Sequence, residues 1–115
     1  MWVFSKTGFV SIVKHKYIPG SLMIRARVRE DLEQFIAVLD EVTGSKHSLK
    51  ETPDGDYAFR TTATKKAVAE AITRQINDLD YVNFKNSVHG DADRDSAYMS
   101  VWSAMYGLQR DKLDL

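Results

Sequence analysis

The chain has 115 residues, with 16 Lys and Arg against 16 Asp and Glu, 43% hydrophobic residues, six glycines, two prolines and no cysteine. That length suits a single domain spanning 1–115; the composition excludes a disordered or linker-like chain, and no apolar run approaches the ~18 residues of a membrane span. The missing cysteine removes disulfides, thiolate zinc sites and cysteine nucleophiles, and Met1–Lys6 lacks the basic-then-apolar layout of a signal peptide, so a cytoplasmic protein is expected.

Trp2–Phe4 is a short apolar run, and Gly8 stands where a tight turn returns the chain into Phe9–Val13, a run of β-branched and aromatic residues. The two predict a hairpin. Tyr17-Ile18-Pro19-Gly20 is the next turn, because Pro fixes φ and Gly accepts positive φ. From Leu22 the pattern alternates, with Leu22, Ile24, Ala26 and Val28 on one face and Met23, Arg25 and Arg27 on the other, the period of a half-buried strand.

The period then changes. Leu32, Phe35, Ile36 and Leu39 form an amphipathic helical stripe, Glu30 and Asp31 favour the positive end of the helix dipole, and Gly44 suits its stop. Ser48–Thr52 is a weak strand, Pro53-Asp54-Gly55-Asp56 a strong turn, and Tyr57–Thr62 a better strand that should pair with the first. Thr64 can cap a second helix with apolar positions Val68, Ile72, Ile76 and Leu79. Tyr81–Val88 predicts a short helix or turn ended by His89-Gly90. A last helix follows, headed by Asp91, Asp93 and Asp95, with Tyr98, Val101, Trp102, Met105 and Leu108 on one face and a frayed tail over 110–115.

This order predicts an α+β fold: an antiparallel sheet with helices packed on one face, a ferredoxin-like variant with an N-terminal hairpin and a C-terminal helical extension. Residues 22–79 supply β-α-β-β-α, and the hairpin could provide the fourth strand. The alternative is an open meander sheet crossed less regularly by the helices.

Several chemistries are disfavoured. Asp91-x-Asp93-x-Asp95 resembles the start of a calcium loop, but that loop needs Gly at its sixth position and an acid at its twelfth, where this chain has Ser96 and Trp102. Capping and the helix dipole explain those acids. His15, His47 and His89 are far apart, and neither a nucleophile elbow nor a phosphate-cradling loop is present. The pairs Asp54/Asp56 and Asp78/Asp80 fall in a turn and at a helix end. No cofactor and no metal are expected, and catalysis would need a site assembled in space, with His89 and the nearby aspartates the candidate for a small hydrolase.

Binding is better supported. Residues 1–29 carry six basic side chains and no acid, leaving ten basic against sixteen acidic groups in the remainder. Such a bipolar chain can offer a positive face to an anionic partner or pair with itself. Arg25 and Arg27 share a strand face, Arg60 should join them, and Lys14 is the fourth candidate, its face undetermined. An open sheet with Arg, Lys and aromatics can hold single-stranded nucleic acid, but the Gly-Phe-Gly-Phe type of RNA-recognition run is absent and the chain is not basic overall. A second candidate surface comprises Trp2, Phe4, Phe9, Tyr98, Trp102, Met105 and Tyr106, aromatic and Met residues that usually form core.

Met1-Trp2-Val3-Phe4 running into Gly8–Val13, with Arg25-Ala26-Arg27, Asp80-Tyr81-x-Asn83-Phe84-Lys85 and Ala97-Tyr98-x-x-Val101-Trp102, resembles a family of short bacterial proteins to which no function is assigned. The resemblance spans nearly the whole chain and implies no activity, cofactor or catalytic residue. Small proteins of this kind are also encoded by phages and mobile elements, where inhibitors that act by binding are common. The expectation is a non-enzymatic binding or protein-interaction domain that could self-associate, with single-stranded nucleic-acid binding as the alternative and no membrane partner.

Overall fold

The computed structural model describes residues 1–113. It is α+β, with a five-stranded antiparallel sheet and four helices. By packing, the chain divides into two compact units, Met1–Leu79 and Asp80–Leu115, within the 1–115 span read above as one domain.

The first unit holds strands β1 (Trp2–Ser5), β2 (Gly8–Lys14), β3 (Ser21–Ala26), β4 (Lys50–Glu51) and β5 (Phe59–Thr64), with helices α1 (Arg29–Thr43) and α2 (Lys65–Asn77). Its strand order is β1-β2-β3-β5-β4, so β5 lies between β3 and β4 although it follows both in sequence. The predicted hairpin forms, Ser5 facing Gly8 across the turn. β4 and β5 also pair, but over a shorter span than the sequence suggests: β4 keeps only two residues, and β5 begins two residues after Tyr57.

One face of the sheet is core. Val10, Ile12, Ile24, Ala26 and Ala63 pack against Leu32, Phe35, Ile36 and Leu39 of α1 and Ala67, Val68 and Ala71 of α2. Fully burying side chains such as Ile24, Leu32 and Leu39 contributes on the order of 1.5–3 kcal/mol each. Caps fix the helix ends. Gly44 at φ +69° closes α1, its N–H donating to the Asp40 carbonyl at 2.8 Å, and the Thr64 hydroxyl accepts from the Ala67 N–H at 3.1 Å to open α2.

α1 has no side-chain cap at Val28; instead its first-turn Asp31 is buried and accepts the Phe9 N–H at 2.9 Å, tying the helix to the hairpin. Gly8 is required at that junction. It holds φ +153°, and a Cβ there would lie 2.5 Å from the Asp31 Cγ.

Two stripe assignments need correction. Val28 is exposed rather than buried with Leu22, Ile24 and Ala26, because β3 ends at Ala26 and Val28 turns out to start α1. Ile76 and Leu79 are exposed, since α2 ends at Asn77 and its buried contacts lie in its first half.

The second unit holds α3 (Phe84–Ser87) and α4 (Ala92–Lys112). Asn83 caps α3, and Asp91 caps α4 by accepting from the Arg94 N–H at 3.1 Å. Phe84 stacks on Tyr98 at 5.7 Å, Tyr81 packs on Phe84, and Val88 is buried. α4 continues through Lys112, so residues 110–112 of the expected frayed tail are helical; 114 and 115 lie outside the described residues. Among the described residues no helix is long and apolar enough to cross a membrane.

Candidate functional site

The sheet face opposite α1 and α2 carries the candidate site. Cross-strand partners share a face, so the register can be read across the sheet: Trp2 faces Ser11, Ser11 faces Arg25, Arg25 faces Arg60, and Arg60 faces Lys50. One row thus crosses all five strands as Trp-Ser-Arg-Arg-Lys, at the ~4.8 Å strand spacing. Arg25 and Arg60, paired by expectation from two separate alternating patterns, are direct neighbours.

Lys14 does not belong to this surface. It pairs with Leu22 and shares the parity of Val10 and Ile12, which places it at the edge of the helix-covered face. Arg27 stands just past the end of β3 and joins the row through Tyr57.

Tyr57 is the residue that sequence reasoning misplaced. The pattern put it at the start of a strand over Tyr57–Thr62. It precedes β5 instead, in a loop folded back by Thr52, whose hydroxyl donates to the Tyr57 carbonyl at 2.7 Å and whose N–H donates to the Ala58 carbonyl at 2.7 Å. That loop carries the ring onto the outer face, where Tyr57 is only 3% exposed. The guanidinium carbons of Arg25 and Arg27 lie 4.5 and 4.6 Å from its centroid. Phe9 packs beside it at 6.5 Å, Phe4 stacks on Phe9 at 4.5 Å, and Trp2 meets Phe9 edge-on. The only signal for this placement was the Pro53–Asp56 turn, which fixes a reversal without saying where the next ring lands.

Among the arginines of the first unit, the electrostatics set Arg25 and Arg27 apart. Arg29, Arg60 and Arg74 each reach a carboxylate. Among the described residues Arg25 and Arg27 reach none. Arg25 donates to the Ser11 hydroxyl at 2.8 Å, while its Nε is shielded from solvent with no hydrogen-bond partner. Burial alone would raise the Tyr57 phenol pKa, but hydrogen bonding with Arg27 and Ser11 and the charges of both arginines outweigh it and hold the phenol below its ordinary value. Two like charges over one ring, without a compensating anion, form a concentrated positive site.

The other candidates are engaged locally. His15 Nδ1 accepts from the Tyr17 and Ile18 N–H groups in the turn. His47 pairs with Asp40 at 2.8 Å and His89 with Asp95 at 3.1 Å, the latter exposed. Asp56 reaches Arg60 at 3.5 Å. Among the described residues no group of three or more His, Asp or Glu could hold a metal ion. The second candidate surface divides. Trp2, Phe4 and Phe9 line the outer face, whereas Tyr98 is buried and Trp102, Met105 and Tyr106 are exposed on α4.

No protein-family model, no curated protein and no solved structure matches the chain.

Proposed function

We propose that this protein is a non-enzymatic, cytoplasmic binding module whose outer sheet face takes an anionic protein partner through Arg25, Arg27 and Arg60. The observation that carries this reading is the pair of arginines over Tyr57 with no carboxylate of their own. A partner carboxylate would supply the acceptors that Arg25 and Arg27 lack and would relieve their mutual repulsion. Lys50 and Arg60 extend the positive row toward one sheet edge, and the exposed Trp2 ends it at the other. A protein partner is favoured over single-stranded nucleic acid because Tyr57, the ring nearest the arginines, is already covered by them, which leaves Trp2 alone as an exposed stacking platform in the row. We also read the sheet as a ferredoxin-like variant, with β5 set between β3 and β4 and β2 standing in for the missing fourth strand. The likeness to short bacterial proteins names no ligand and leaves this reading unchanged.

The test is titration calorimetry with an oligoglutamate peptide and, separately, a mixed single-stranded oligonucleotide, at low and high salt. The peptide should bind and weaken with salt, and Arg27→Gln, at an exposed position, should cost about tenfold in affinity, the scale of one charged hydrogen-bonded contact. Binding of the oligonucleotide in preference to the peptide would assign the face to nucleic acid. Peptide binding that Arg27→Gln leaves unchanged would remove the site from this face.

A further inference from the structure

Helix α4 exposes an apolar arc that its own unit leaves uncovered: Val101, Trp102, Met105, Tyr106 and Leu108 are all exposed, Met105 by 57%. Trp102 and Tyr106 stack in parallel at 5.3 Å, and Lys85 of α3 lies 4.7 Å from the Trp102 ring centroid. Contiguous apolar surface of this kind marks an interaction site rather than ordinary scatter.

The charges along the helix identify the occupant. Asp91, Asp93 and Asp95 outweigh Arg94 at the N-terminal end, Arg110 and Lys112 outweigh Asp111 at the C-terminal end, and residues 96–109 carry no charge at all. An acidic partner would fit one end and be repelled by the other; a basic partner would do the reverse. We infer that the occupant is α4 of a second copy of this chain, lying antiparallel. In that arrangement each acidic end meets a basic end, the helix dipoles oppose, and the two-fold axis falls near Val101 and Trp102. Asp91 then faces the Lys112 end of the other copy, and Tyr98 lies level with Met105. The pairing uses no residue of the outer sheet face, so it stands or falls independently of the anion-binding proposal.

Light scattering across a concentration series tests it. The expected result is a mass approaching twice the chain's 13.1 kDa. Met105→Glu, at an exposed position, should weaken the pairing by about tenfold or more, as loss of a central apolar contact does. Because the chain has no cysteine, Gln109→Cys reports the direction. Its two copies lie about 20 Å apart in the antiparallel pair and cannot form a disulfide, whereas a parallel pair would bridge them. A monomer at every concentration, a dimer indifferent to Met105→Glu, or ready disulfide formation at position 109 would each overturn the proposal. Unchanged circular dichroism of the Met105→Glu variant establishes that a lost dimer is not a lost fold.

Discussion

Tyr57 sits where opposing influences meet one phenol: burial, which raises its pKa, against hydrogen bonding with Arg27 and Ser11 and the charges of Arg27 and Arg25, which lower it. The lowering wins. In a titration of tyrosinate absorbance, Tyr57 should therefore contribute a step below the ordinary phenol range. That early step should vanish in Tyr57→Phe and move upward in Arg27→Gln. The sign for stability follows from linkage. A folded-state pKa below the unfolded one adds nothing while both states are protonated, begins to stabilise as pH rises through the lowered value, and is complete above the ordinary value near 10. Urea unfolding of the parent and Tyr57→Phe should thus diverge in the parent's favour as pH climbs through that window. A constant difference across it would show that Tyr57 acts through packing alone.

At the scale of elements, docking rather than propensity fixes the N-terminal hairpin. Its turn and strands were legible from Trp2–Phe4, Gly8 and Phe9–Val13, yet nothing local showed that Gly8 would lie against Asp31 of α1. The carboxylate takes the Phe9 N–H at 2.9 Å only because no Cβ separates them. Gly8→Ala should cost about 2–4 kcal/mol, read as a lowered urea midpoint, since it combines an unfavourable φ with a contact that forces Asp31 to move. A midpoint unchanged within error would mean that the junction can relax. The helices show the same division between pattern and context. The stripe of α1 was readable because its apolar residues recur at helical spacing and all of them find the sheet. In α4 the same spacing was present, but Tyr98 alone is buried, because α3 is only one turn long and covers only that end.

For the molecule as a whole, the main core is complete within the first unit: every member of the buried cluster lies between Val10 and Ala71. Residues 1–79 expressed alone should therefore fold, with a cooperative unfolding transition and dispersed amide resonances. A disordered fragment would show that the remaining residues are needed to complete the fold. The charge asymmetry along the chain also acquires a physical meaning at this scale. The basic N-terminal segment supplies the middle of the outer face, whereas the acids of the remainder are spent on helix ends, on ion pairs such as Arg74–Glu41 at 2.9 Å, and on the Asp31 junction. Arg25 and Arg27 are left without such a partner.

The sequence by itself determined the α+β class, the two hairpins, α1 with its glycine stop, and the shared face of Arg25 and Arg60, because these depend on periodicity and turn chemistry within a few residues of each position. Tertiary structure decided the rest. Lys14 went to the helix side because strand register, a long-range property, sets its parity; Tyr57 reached the arginines because a loop folded back; and the apolar arc of α4 stayed open because exposure depends on what packs against a helix, which its own spacing cannot specify.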